Sequence, residues 1–434
     1  MTNKDIAEYS LNTMIKAGVG KAACSVTRRR KDEFSVEANE FTLLRTVFDD
    51  TLSLKIIKDG RKGVTVVNKL DKDSIDKAVS DCITLASSAQ PDEAEDVAEK
   101  LENKDFSQNI GGSDMDKLFA RSKEFLQQIK DEYPKIVLEG MTSEFNGIES
   151  VYVNSKGVEF TGNNECYSAG AMFSAKDGEK GSSFNGYMSN LTSLDSPFID
   201  MGRGMLRTLL GESVRSLDTR VVDDKFVGKV IVTPACEDMI WGTLIGCFLS
   251  DRSLIEGTSR WKDALNTLVA DSKLTFRAAP LHDDIIAGER YTADGYESVN
   301  TDFIRDGVLN SFALSLYGAN KTGKPRALNT AFGNIEVMAG DKSLQDIIKG
   351  VDKGILLNRF SGASPSPSGD VSGVAKNSFL IENGAVTDAL QETMISFNIL
   401  DILKDIPAIS SERCINGISV LPWCCFDKIT ISGK

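Results

Sequence analysis

A single histidine, His282, stands in a chain of 434 residues. That scarcity excludes a catalytic metal site built on this chain's own histidines, because zinc sites of that kind draw on two or three imidazoles. The eight cysteines, at 24, 82, 166, 236, 247, 414, 424 and 425, form no CxxC pair. The expectation is therefore buried thiols in a reducing compartment rather than a disulfide framework or a zinc knuckle. Cys424 and Cys425 are adjacent in a β-like segment, where neighbouring side chains take opposite faces, so the two thiols are expected to point apart. Long apolar runs are missing too. The most apolar stretch, Met239 to Leu249, holds two glycines and falls well short of the roughly 20 residues of a membrane span. The first residues show an amphipathic helical spacing in place of an export signal, and the expected location is the cytoplasm. Positive charge is in deficit, with 50 Lys and Arg against 63 Asp and Glu and a net charge of −13. This argues against nucleic acid as a partner, which requires basic clusters. The one dense basic run, Arg28 to Lys31, is followed at once by Asp32 and Glu33 and reads as a solvated strand end or turn.

What is present alternates between strand and helix signals. Ile6 to Lys16 has helical spacing, and Lys21 to Val67 is rich in alternating Val, Thr, Phe and Ile. Asp59-Gly60 marks a tight turn between two strands. A helix is expected over 73–89, with Asp73 and Ser74 as N-cap and Ile75, Ala78, Val79, Cys82, Ile83 and Ala86 on one apolar face. Residues 90–112 are polar, acidic and end in Gly-Gly, which reads as a surface linker. A helix over 115–129, a hairpin around 154–157 and a helix from Phe198 to Arg215 complete the first half. In the second half a short strand, Val227 to Thr233, leads into a helix from Glu237 to about Leu249. Two hairpins of one pattern follow, Phe303 to Leu309 and Leu380 to Val386, turning on Asp-Gly and Asn-Gly. Residues 361–370 form a short Ser/Gly/Pro-rich loop. The predicted class is α+β in two domains. Residues 1–218 form an N-terminal helix and sheet domain, with an internal boundary near 90–113, and 219–434 a strongly β-rich domain of hairpins, barrel-like or sandwich in form.

Common catalytic motifs fail on inspection. Gly318 to Lys324 matches seven positions of a phosphate-binding loop, but Pro325 stands where the magnesium-binding Ser or Thr belongs. Gly18 to Ala23 imitates a dinucleotide fingerprint with its strand and helix in reversed order. No G-x-S-x-G occurs. His282, in Pro280-Leu-His-Asp-Asp284, could recruit Asp283 or Asp284 as a general base, yet the same run describes a solvated loop histidine.

Several ordered segments together resemble the PmbA/TldD family. Asn300 to Leu309 with Tyr317 and Asn320 to Gly323, and Ser368 to Gly373 with Phe379 to Gly384, match its second half. Glu392 to Ile395 with Asn398 continue that match, and Leu54 to Gly63 fits a hairpin of its first half. The resemblance implies two branches. TldD-like members carry HExxxH on a helix, with a late cysteine as a further ligand, whereas PmbA/TldE-like members lack the motif and pair with a TldD-like subunit. The helix concerned falls here at 237–249. Setting Gly246 on the motif's internal glycine puts Gly242 and Thr243 in place of the first His and the Glu, and Cys247 in place of the second His. These three cannot hold zinc and activate water as the originals would.

The resemblance therefore implies a metal-free subunit of a metallopeptidase acting on unfolded or extended peptides. Zinc is expected only in its TldD-like partner, with a homodimer when the partner is missing. Asp370, Ser372, Glu382 and Asn398 are the candidate substrate-binding residues. Two other readings stay open: a non-enzymatic regulatory homodimer, matching the family's description as a modulator of DNA gyrase, and a self-sufficient hydrolase using His282.

Overall fold

The computed structural model describes residues 1–222, 224–327, 333–362 and 364–433. Residue 363 of the Ser/Gly/Pro-rich loop lies outside them. Its two sheets divide the chain, the first drawing on residues 21–191 and the second on 219–432.

The first sheet is dominated by four long antiparallel strands, Lys21–Glu37, Glu40–Lys58, Ile136–Asn154 and Glu159–Asp177. Among the described residues, helices cover one face of it. Asn3–Lys16 and Lys72–Ser88 pack over Cys24, Val26, Leu52, Leu54 and Ile56 at one end. Met115–Glu132 and Met205–Arg215 pack over Phe34, Phe145, Tyr167 and Phe173 at the other. The helix expected over 73–89 starts one residue earlier and is capped by Asp71, whose carboxylate accepts the amide of Ser74. Its predicted apolar face is the buried one.

Three expectations need correction. Arg28 to Lys31 is neither a strand end nor a turn but the middle of Lys21–Glu37. The run is tolerated there because acids face it across the ladder: Arg28 lies opposite Asp50 and Arg29 opposite Asp49. Residues 90–112 are not a surface linker. Val97 and Ala98 are buried, Glu95 is buried against Lys55 and Lys62, and Lys104–Asp105 adds a short parallel strand beside Phe160 and Thr161. Sparse small apolar residues and one paired acid give this polar stretch enough to bury. The helix expected from Phe198 to Arg215 is broken, because Gly202, Arg203 and Gly204 all take positive φ between a 3₁₀ turn and Met205–Arg215. A side chain at 202 would collide with the Tyr187 hydroxyl.

The second sheet contains fourteen strands among the described residues. At its centre Val420–Ser432 pairs with Phe226–Val232, Thr393–Asn398 and Ala408–Ile415, and more briefly with Ile335–Val337. Both predicted hairpins are present. Asp306-Gly307 and Asn383-Gly384 share the left-handed φ pair of Asp59-Gly60, as two-residue turns matched to strand twist require. The vicinal cysteines do face apart: Cys424 enters one core and Cys425 another. The α+β class is what the structure has, and among the described residues no helix is long and apolar enough to cross a membrane.

Glu212, on the helix Met205–Arg215, joins the halves by accepting the side-chain amide of Asn358 at 2.6 Å. Burial raises its carboxyl to about 7, against the opposing effects of Arg215 and Asn358. The folded state thus holds a proton that the unfolded chain has released between about pH 4.5 and 7, so stability falls as pH rises through that window. The full shift corresponds to about 3 kcal/mol, and partial exposure reduces the expected effect to about 1–2 kcal/mol. Glu212→Gln should accordingly be more stable than the parent at pH 8 by that margin and equal to it near pH 4, as urea denaturation at the two pH values will test.

Candidate functional site

The helix expected over 237–249 is present as Asp238–Leu244, continued by a π turn over Ile245–Leu249 in which the Ser250 amide bonds to the Ile245 carbonyl at 2.9 Å. Turns of this kind recur at functional sites. Its inner face is locked into the second core. Trp241 stacks on Phe276 with centroids 4.9 Å apart, and its indole N–H donates to fully buried Glu237 at 2.8 Å. Cys424 completes this contact, its thiol raised well above the usual range by burial first and then by Glu237.

The three replaced positions do not converge. Gly242 is exposed, and a Cβ built on it would meet nothing within 4 Å. Thr243 is buried and donates its hydroxyl to the Met239 carbonyl of its own helix at 2.6 Å. Cys247 is half-buried with its sulfur 3.5 Å from the Ser366 carbonyl, and burial raises its thiol. A glycine, a hydroxyl already engaged and a thiol facing elsewhere do not fit a zinc ion. Among the described residues no group of three or more His, Cys, Asp or Glu is placed to hold a metal.

Gly242 instead opens on a cleft of about 430 Å³ between the two sheets, shared with Tyr187, Met188, Ile335, Cys414 and Leu421. One wall is the strand Asn185–Leu191, paired on one side with Glu159–Asp177. The Asn190 amide donates away from that partner, to the Asn416 carbonyl at 2.8 Å. Main-chain groups two residues apart in a strand point the same way, so those of Met188 face the cleft. At the floor the Tyr187 hydroxyl lies 3.2 Å from the Cys414 sulfur. Burial raises both groups, Cys414 to about 11. A second groove of about 530 Å³, lined by Ser35, Gly140, Gly170 and Met172, crosses the first sheet and adjoins the cleft at Gly186, Tyr187 and Met188.

The candidate substrate-binding residues lie elsewhere. Asp370 and Asn398 are brought together: the Asn398 side-chain amide donates to Asp370 at 2.9 Å, and the hydroxyls of Ser368 and Ser366 donate to the same carboxylate. These bonds, that of Asn398 foremost, hold the Asp370 carboxyl at about 2. The loop they order rests on the π turn, with Gly369 pressed against the Phe248 ring at φ +88°. Ser372 is exposed two residues beyond Asp370 on the strand Asp370–Lys376, and Glu382 sits on a separate hairpin beside Arg220 and Thr387. None of the four lines the cleft. The residues that do include Tyr187, Met188 and Cys414, which no motif in the sequence singles out. The one available signal was the late cysteine of the family pattern.

His282 is wired as a structural residue. Its Nδ1 accepts the Asp284 amide at 3.0 Å, and its Nε2 lies 3.5 Å from buried Glu336. Asp283 and Asp284 line a different hollow. The phosphate-loop imitation is a short helix, Leu316–Thr322, capped by Gly323, and its Gly318 is pressed against Asp251.

The family model for the PmbA/TldA metallopeptidase C-terminal domain matches residues 225–433, and that for PmbA/TldA metallopeptidase domain 1 matches residues 22–86. The chain belongs to the PmbA/TldD family. Metalloprotease PmbA of Escherichia coli O157:H7 is 22% identical over 429 residues, covering 94% of this chain and 92% of the relative. Metalloprotease MJ0996 of Methanocaldococcus jannaschii is 26% identical over 195 residues, 42% of this chain; the match spans only 43% of that relative. TldE from Thermococcus kodakarensis superposes with a TM-score of 0.84 at 19% identity, over 99% of both chains. A protein described as a modulator of DNA gyrase, from Bacteroides thetaiotaomicron, does so with a TM-score of 0.85 at 21% identity, over 100% of this chain and 99% of that one. This member of the PmbA/TldD family is thus metallopeptidase-like in sequence and in fold.

Proposed function

We propose that this PmbA/TldD-family chain is a metal-free subunit that joins a TldD-like, zinc-binding partner and supplies part of the channel holding an extended or unfolded peptide. The observation that supports the reading is the helix at 237–249, which borders the cleft at Gly242 while Gly242, Thr243 and Cys247 supply no ligand set. Zinc then belongs to the partner. The likeness to the Thermococcus TldE and to a relative named as a zinc metalloprotease TldD homolog, from Saccharolobus solfataricus, supports both kinds of subunit within one family. The strand edge at Met188 supports a peptide partner, since main-chain pairing gives affinity with little sequence preference. With the division at 218 and 219, the first half would contribute that edge and the second the floor of the cleft, while Asp370 and Asn398 order the loop beneath the helix. Eight free thiols suit a cytoplasmic setting.

The test is peptide hydrolysis by the purified chain, alone and mixed with a TldD-like subunit, with and without chelator. Activity should require the partner, exceeding that of either chain alone by more than about 100-fold, and should vanish with chelator. Hydrolysis by this chain alone in the presence of chelator would overturn the proposal. A chain that forms no mixed complex would favour the regulatory homodimer instead.

A further inference from the structure

We infer that the cleft beside Gly242 is a side-chain pocket that accepts a large, uncharged apolar residue of an extended peptide whose main chain pairs with Met188 on the strand Asn185–Leu191. The inference rests on the reading of the chain as a peptide-binding subunit and adds which residues that subunit would select.

Three observations lead to it. The strand edge fixes the main chain of the guest: the Asn190 amide is taken by Asn416 and the Gly186 amide by the Asn185 side chain, which leaves the Met188 amide and carbonyl beside the cleft as the pairing position. A strand laid against this edge turns alternate side chains to opposite faces, so that every second one can reach the cleft. The lining then fixes the chemistry. None of its described residues is charged, in a protein of which 26% is Asp, Glu, Lys or Arg. Ile335, Leu421, Ile418, Met188 and Pro234 dominate it. A charged guest would lose its water there without meeting a counter-ion, whereas an apolar one is favoured by the area it buries. The volume, about 430 Å³, is that of a ligand pocket rather than a packing defect. Finally, Gly242 keeps the space open. Nothing lies within 4 Å of a Cβ at that position, so any larger side chain there grows into the cleft.

The absent side chain at 242 thus has a positive consequence: it leaves this helix position as the opening of a side-chain pocket.

Fluorescence anisotropy on the full chain alone tests this, using labelled ten-residue unstructured peptides that differ at one guest position. Leu or Phe guests should bind about tenfold more tightly than Asn or Asp guests. Gly242→Phe and the smaller Gly242→Leu should remove that preference. Gly246→Phe lies one turn on, equally open but outside the cleft, and should keep it. Thermal melts of each variant identify any that has unfolded, and the Leu and Phe fills give two independent chances at a folded one. Equal binding of all guests, no binding at all, or a preference that survives both Gly242 substitutions would each overturn the inference. Because this chain is measured by itself, a guest preference combined with failure to form any mixed complex with a TldD-like subunit would sink the subunit proposal alone. Partner-dependent hydrolysis without a guest preference would sink only the pocket.

Discussion

Glu336→Ala is expected to lower the free energy of unfolding by about 3–5 kcal/mol, the effect of stripping a buried charge cluster of one member. Glu336 is 2% exposed on the strand Ile335–Val337. It accepts from Arg413 at 2.5 Å, lies 2.9 Å from the Arg277 guanidinium and faces His282. Arg277 sits directly opposite it on the neighbouring strand. Removal of the carboxylate leaves two half-buried guanidinium groups in the second sheet with their common partner gone. Glu336→Gln keeps the shape and one acceptor oxygen, so its loss should be about half as large. Urea unfolding of the two variants checks both values. Equal stability of Glu336→Ala and the parent would mean that the arginines find water or other acceptors.

Trp241→Ala should be of the same order, about 3–5 kcal/mol, as for other large aromatic deletions in cores. Trp241 is fully buried, stacks on Phe276 and donates to Glu237, so its loss opens a cavity and also withdraws a donor from a buried acid. The two effects can be separated. Trp241→Phe retains most of the ring but not the N–H, and a loss of about 1–3 kcal/mol would assign that share to the hydrogen bond. Should Trp241→Phe prove silent, Glu237 is held by its other contacts, the Cys424 thiol among them. Because the same helix carries Gly242, Trp241→Ala should also loosen the cleft wall, visible as faster hydrogen exchange over 238–249.

Local chemistry made much of this fold legible in advance. Asp59-Gly60, Asp306-Gly307 and Asn383-Gly384 turn where their dipeptides predict, because left-handed φ values at both positions suit those residues. The apolar face of Lys72–Ser88 and the divergence of Cys424 and Cys425 follow from helix and strand periodicity alone. The errors have one physical source: neighbours distant in sequence. Arg28 to Lys31 can occupy mid-strand only because Asp49 and Asp50 lie opposite. Residues 90–112 are ordered by partners such as Phe160 and Asp294. The break at Gly202 exists because Tyr187 occupies the space a side chain would need. The site was legible only in part, for the same reason. Gly242 could be placed through the family resemblance, but its cleft also requires Met188, Cys414 and Leu421 from strands far away in the chain. Asp370 and Asn398, although recognisable as a motif, turn out to bond to each other and to Ser366 and Ser368.

The central strand of the second sheet has a consequence for biosynthesis. Val420–Ser432 lies against Phe226–Val232, a partner made roughly 200 residues earlier. At about 5–20 residues per second, Phe226–Val232 leaves the ribosome some 10–40 s before the strand it must pair with exists. Its other neighbour, Lys353–Leu357, also comes later, and throughout the interval Val230, Ile231 and Val232, which end up buried, keep an unpaired edge on the side of Val420–Ser432. Contacts of such long sequence separation also form slowly once the chain is complete. Synthesis with and without a chaperone that holds apolar segments should therefore change the soluble yield of the second half far more than that of the first.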